Sequence, residues 1–283
     1  MEININDLPK YSPWPYRLLC LENFEKKYKT ASEILREYED EKWGSLLTYI
    51  KSSNKTVSLK DVEKIVFGKQ PELISIKNGK LLKMTGYEAF KVQYKIVLNT
   101  LKNFLPTKAI CEFGAGYGQI ILNLANEKEI SQIPLLAGEF TSSGEQLIDY
   151  LANVKSKKIS TFHCDLSKPN GTYEKKIPHK SIIFTCFSAC YVQEYNIKLI
   201  QNFISINPAV VINFEPIYEH CNSATLIGAM QKRYIELNGY NRNLLSILKE
   251  AEHKKIIKIV FEKSQVFGSN PFLPFSIVAW KPV

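Results

Sequence analysis

Residues 112–118 read Glu-Phe-Gly-Ala-Gly-Tyr-Gly, three glycines at alternate positions behind an acid. Glycine has no Cβ, so it enters left-handed backbone freely and lets a ligand approach the main chain. Gly114 and Gly116 are therefore expected to make a tight turn at a binding surface, and Gly118 to let the next helix pack closely. The N–H groups at the start of that helix are free for an anionic or polar group. A dinucleotide fingerprint would need its third glycine at 119, where the residue is Gln119, and Glu112 is unusual at such a site.

Other groups with chemistry lie further on. Glu139 closes an apolar run, Asp165-Leu166 follows another, and Phe187-Ser188-Ala189-Cys190-Tyr191 follows a third. Next comes Glu215-Pro216-Ile217-Tyr218-Glu219-His220. His220 titrates nearest neutral pH and is the natural candidate base, or else a surface or capping histidine. Glu215, at a strand end, is placed to orient a substrate amine or hydroxyl. The six cysteines are scattered, without zinc-ligand spacing; they read as small buried hydrophobes, and no metal is expected.

The elements that must position these groups alternate. Lys108–Phe113, Pro134–Glu139, Ile159–Cys164, Ser181–Cys186 and Ala209–Phe214 are short, almost wholly apolar runs, as expected of parallel strands buried on both faces. Helical patterns separate them, which predicts an α/β doubly wound sheet. Lys255–Lys263 and Phe275–Trp280 are joined by too short a loop for a parallel crossover, so the last strand should be antiparallel. That makes a mostly parallel seven-stranded sheet. Residues 1–86 read as a helical N-terminal cap, with a long helix over Leu18–Tyr38, a short one capped by Ser58, and a turn at Asn78-Gly79. Residues 87–283 form the main domain, with a helical lid around 222–250 that is expected, together with the Tyr11–Tyr16 turn and Trp43 of the N-terminal cap, to roof a binding pocket.

On the acid-x-Gly-x-Gly-x-Gly loop, the acids at 139 and 165 and the terminal hairpin, the chain resembles the class I S-adenosylmethionine-dependent methyltransferases. The resemblance covers about residues 87–283. It implies S-adenosyl-L-methionine as cofactor, held by Glu112, Gly114, Gly116 and Gly118. It further implies Glu139 on the ribose hydroxyls, Asp165 and Leu166 on the adenine, and Phe187 and Ser188 near the methionine end. The expected activity is methyl transfer to an O or N atom of a small molecule or short peptide, with Glu215 and His220 as candidate catalytic groups. RNA or protein methylation, or a non-catalytic cofactor-binding module, are the alternatives.

Composition bounds the rest. The 283-residue chain is 45% hydrophobic, within the globular range, and lacks both a signal-peptide pattern at its start and an apolar run of transmembrane length. A cytoplasmic protein without a membrane partner is expected. The net charge of +9 is spread over both halves, and only four cations are Arg (Arg17, Arg36, Arg233, Arg242). Phosphate and base recognition favours the Arg fork, so nucleic acid is a possible but not a favoured partner.

Overall fold

The computed structural model describes residues 1–19, 30–68, 72–168 and 174–283. Its helices are α1 (Leu8–Tyr11), α2 (Trp14–Leu19), α3 (Ala31–Leu35), α4 (Ser45–Ser52), α5 (Leu59–Gly68), α6 (Gly86–Lys102), α7 (Gln119–Leu124), α8 (Ser142–Val154), α9 (Ile197–Ser205), α10 (Leu226–Leu237) and α11 (Leu244–His253). Its strands are β1 (Leu73–Lys77), β2 (Lys80–Met84), β3 (Ile110–Phe113), β4 (Leu135–Glu139), β5 (Ile159–His163), β6 (Ile182–Cys186), β7 (Val210–Glu215), β8 (Ile257–Gly268) and β9 (Phe275–Pro282).

The five apolar runs pair in parallel, in the order β7-β6-β3-β4-β5, with Glu112 opposite Ala137 on one side and Phe184 on the other. With β3 at the centre and later strands added on both sides, the strand order reverses at β3, and a ligand crevice is expected beyond the carboxyl ends there. The last strand is antiparallel as expected: β9 pairs with β7, and β8 pairs antiparallel with β9.

The expected count of seven strands is corrected to nine among the described residues. Asn78 and Gly79 both take positive φ (48° and 79°), which suits a two-residue hairpin turn, and β1 and β2 pair around it. β1 then hydrogen-bonds the outer edge of β8, with Ile76 opposite Gly268 and Lys77 opposite Phe267. The N-terminal segment is therefore not purely helical; it extends the sheet and covers an edge that would otherwise be bare.

Helices cover both faces. One core layer joins Leu46, Leu59, Val97, Ile121 and Ile148 to the sheet; the opposite layer joins Leu199, Phe203, Leu248 and Trp280. Each such buried side chain contributes about 1.5–3 kcal/mol. Local signals set the ends. Ser58 and Asp61 cap α5 reciprocally, and Thr85 and Glu88 form a capping box on α6. Part of the expected Leu18–Tyr38 helix, including Cys20, lies outside the described residues. Within them, α2 ends at Leu19 and helix resumes at Ala31 behind a capping box of Thr30 and Glu33.

From Arg36 to Gly44 that helix widens into a π-helix before continuing as α4. A Cβ on Gly44 would lie 2.3 Å from the Glu39 carbonyl oxygen, so this wide turn depends on the glycine. π-helical turns are rare and are found frequently at functional sites. This one faces the carboxyl ends of the strands.

Candidate active site

The glycine loop leaves β3 with Gly114, Gly116 and Gly118 at φ of 73°, 59° and 81°. Gly114 and Ala115 both donate their N–H groups to the Gly138 carbonyl, which ties the loop to β4. A Cβ on Gly114 would stand 2.3 Å from Ser188 Cβ, and one on Gly116 would stand 3.0 Å from the Trp43 ring. The loop is thus wedged between the exit of β6 and the π-helix. Ser188 Oγ donates to the Phe113 carbonyl at 2.7 Å and locks the first of these contacts.

Glu112 is buried, and its Oε2 accepts the N–H of Ile121 in the first turn of α7 at 3.1 Å. A carboxylate is favoured at that positive helix end, yet burial pushes the carboxyl well above its ordinary value. Glu139, also buried, binds the loop directly. Its Oε2 accepts the Gly116 N–H at 2.8 Å, while Oε1 accepts the Thr141 N–H and hydroxyl. Burial raises its carboxyl too, against the pull of those bonds. A carboxylate offers about four acceptor positions, so the spare capacity lies on Oε2. Asp165 folds back on Ser167, whose N–H and hydroxyl both reach Oδ1.

After β6, Phe187 takes φ of 54°, a strained conformation for a bulky residue, and its N–H donates to the Phe214 carbonyl. The three N–H groups that follow, of Ser188, Ala189 and Cys190, all donate to the Glu215 carboxylate at 3.0–3.1 Å. Glu215 has no solvent-exposed surface. It is an anchor beneath the 187–191 loop rather than a residue of the cavity wall.

His220 lies elsewhere. Its Nδ1 is 2.8 Å from Ser276 Oγ on β9 and its Nε2 is 3.0 Å from Glu262 Oε1 on β8, so it joins those two strands. The structure brings neither His220 nor Glu215 into the cavity.

That cavity has a volume of about 840 Å³ and is lined by residues 114–117 of the glycine loop with Glu112, Glu139, Asp165, Leu166 and Phe187-Ser188, whereas Gly118 is set against Ile148 and Leu122 and is not in the lining. Small-ligand sites span roughly 300–1,000 Å³, so this one accommodates a large ligand or two smaller ones. Its roof comes from the π-helix, which carries the Trp43 expected there. Tyr38, Lys42 and Trp43 all line it. Trp43 packs edge-on against Tyr117, and the hydroxyls of Tyr38 and Tyr191 are 2.5 Å apart. Glu39 accepts the Ser143 N–H with both carboxylate oxygens and so pins the roof to the start of α8.

The segment 222–250 forms α10 and α11, and neither helix lines the cavity. Tyr240, between them, backs Tyr191 with ring centres 5.3 Å apart. Asn241 and Asn243 clamp the loop before α9: Asn241 donates to the Val192 carbonyl, and Asn243 exchanges bonds with the backbone of Tyr195. The Tyr11–Tyr16 turn also sits away from the cavity, with Trp14 packed on Tyr234.

Two buried polar atoms of lining residues, Tyr117 Oη and Gln119 Nε2, have no hydrogen-bond partner among the described residues. Buried polar groups are ordinarily paired, so both suit a polar ligand in the cavity. Among the described residues, no helix is long and apolar enough to cross a membrane.

No family model and no curated protein matches the chain. Among solved structures, it is similar to magnesium protoporphyrin IX methyltransferase from Synechocystis PCC 6803 with bound S-adenosylhomocysteine, at 11% identity over 89% of this chain and 99% of that one, TM-score 0.45. It is also similar to geranyl diphosphate C-methyltransferase from Streptomyces coelicolor A3(2), at 10% identity over 70% and 80%, TM-score 0.48. A third is the methyltransferase domain of bacterial CtHen1-C, at 16% identity over 67% and 96%, TM-score 0.44.

Proposed function

We propose that this chain is an S-adenosylmethionine-dependent methyltransferase acting on an O or N atom of a small molecule or short peptide. The observation that carries this reading is the bond from the Gly116 N–H to Glu139 Oε2, which joins a three-glycine turn to an acid with a free acceptor position above the same cavity.

The residues present fit that cofactor. Glu139 Oε2 is open to one ribose hydroxyl; accepting two would require Thr141 to release its hold on Oε1. Asp165 Oδ2, 3.6 Å from Lys168 Nζ, would accept an adenine amino group, with Leu166 beside it against the ring. Glu112, Gln119 and the 114–116 backbone would hold the methionine end, and the wedged contacts of Gly114 and Gly116 keep side chains out of that part of the cavity.

When bound, S-adenosylmethionine supplies an electrophilic methyl on a sulfonium centre. The protein's part in such a displacement is mainly in-line positioning. The 187–191 loop, held on Glu215, sets the wall on that side, and the π-helix lines the top through Tyr38, Lys42 and Trp43. Tyr191, whose phenol burial keeps protonated, shares a hydrogen bond with the Tyr38 hydroxyl at that wall. Glu215 and His220 are assigned to support of the loop and of the β8–β9 pair.

Replacing Glu139 by Ala tests the reading. Charge-assisted hydrogen bonds contribute about 1.5–3 kcal/mol, so S-adenosylmethionine affinity should fall about tenfold or more. Unchanged affinity removes Glu139 from the cofactor site.

A further inference from the structure

The roof of the cavity is aromatic and its walls are acidic, and together these select an acceptor. Trp43, Tyr38, Tyr191 and Tyr240 follow one another with ring centres 5.7, 5.7 and 5.3 Å apart. The first three line the cavity, and Tyr240 supports Tyr191 from behind. Among the described lining residues, Glu112, Glu139, Asp165 and Glu194 are acidic, and Lys42 alone is basic. Lys42 is already engaged, 2.8 Å from Glu37 and 4.0 Å from the centre of the Tyr38 ring. The chain's overall positive charge is therefore not gathered where an acceptor would sit.

Resting on the methyltransferase reading above, we propose that the acceptor is a neutral or cationic ring-bearing small molecule seated against Tyr38 and Tyr191, whose paired hydroxyls mark the place its heteroatom takes. Three features support this. Aromatic faces attract cations and stack on rings, with each ring oriented by its neighbour. A hydroxyl pair spanning the roof gives both a donor and an acceptor to an incoming O–H or N–H: whichever phenol donates to the other, the second keeps its O–H free and the first its lone pairs. Glu112, Glu139 and Asp165 belong to the cofactor's part of the cavity, so an acceptor carboxylate or phosphate would meet Glu194 and no free cation among the described lining residues, and desolvating an unpaired anion is costly.

The test uses the full chain saturated with S-adenosylhomocysteine and three probes that share one phenol ring: 4-ethylphenol, tyramine and 3-(4-hydroxyphenyl)propionate. Calorimetric titration should show the neutral and ammonium probes binding at least ten times more tightly than the propionate. Tyr38→Phe and Tyr191→Phe each keep the ring and remove one hydroxyl. Each should weaken the tighter probes about fivefold, the scale of one hydrogen bond, with thermal unfolding confirming that both variants are folded. Propionate binding as tightly as tyramine overturns the proposal, as does failure of all three probes to bind or indifference to both variants. Failure of S-adenosylhomocysteine itself to bind removes the cofactor reading, and this proposal with it. Cofactor binding together with a preference for the carboxylate removes this proposal alone.

Discussion

Replacing Glu215 by Gln separates an anchoring residue from a catalytic one. The Glu215 carboxylate has no exposed surface and accepts three consecutive N–H groups, Ser188 and Ala189 on Oε1 and Cys190 on Oε2. Glutamine keeps one carbonyl oxygen for the first two, which lose the strengthening that a charge provides. Its amide nitrogen then faces the Cys190 N–H, donor against donor, inside the protein. An unsatisfied buried donor costs about 1–3 kcal/mol, and the two weakened bonds raise the total to roughly 2–4 kcal/mol. Each kcal/mol lowers the melting temperature of a chain of this size by about 2–4 °C, so differential scanning calorimetry should record a fall of about 5–15 °C. Because Phe187 is held at positive φ just before these bonds, the cavity wall at 187–188 should shift as well. Cofactor affinity should drop alongside stability. A variant that melts within about 1 °C of wild type, on the same scale, yet loses turnover would refute the anchoring argument and return Glu215 to the chemistry.

Other substitutions bear on separate parts of the account. His220→Ala should leave cofactor affinity within about twofold, because the ring joins Ser276 and Glu262 outside the cavity; a large loss of affinity by titration would contradict that placement. Gly114→Ala forces a side chain to φ of 73° and into Ser188 Cβ, so cofactor binding should be lost or the protein destabilised by about 1–3 kcal/mol. Wild-type behaviour in both respects would show that the loop is not wedged. The carboxyl of Glu112 is raised by burial, so the folded chain holds its proton above the ordinary carboxylate value of 4.5. Its contribution to stability is then complete below that value and is lost as pH rises through the shifted one. Glu112→Gln can still accept the Ile121 N–H, so relative to wild type it should gain stability as pH rises; a constant difference across pH would contradict the shift. Glu139, also raised, must be ionised to use both acceptor oxygens, so cofactor affinity should fall on acidification at a pH above the ordinary carboxylate range.

How much the sequence revealed depended on how locally each feature is encoded. The parallel strands were legible because burial on both faces leaves a nearly unbroken apolar run. The glycine turn was legible because only glycine takes its conformation without cost. The antiparallel last strand followed from loop length alone. The β1–β2 hairpin carried a local signal in Asn78-Gly79, but its addition to β8 depends on backbone hydrogen bonds that no residue pattern marks. Trp43 was legible as a roof residue, but the π-helical turn that carries it was hidden for a similar reason. Arg36–Gly44 reads as an ordinary polar helix, and its role emerges only from Glu39 meeting Ser143 and Tyr38 meeting Tyr191, more than 100 residues away in each case. Its one local sign was Gly44, inside an otherwise helical pattern. His220 and Glu215 drew attention because they can titrate and follow a strand; whether such a group faces a cavity or a neighbouring backbone is decided by tertiary packing.

The central claim is the cofactor, and it is tested most directly by calorimetric titration of the full chain with S-adenosylmethionine and, in parallel, NADH. The account predicts one-to-one binding of S-adenosylmethionine at micromolar strength and none of NADH. No binding of S-adenosylmethionine, or binding of NADH in its place, would contradict it.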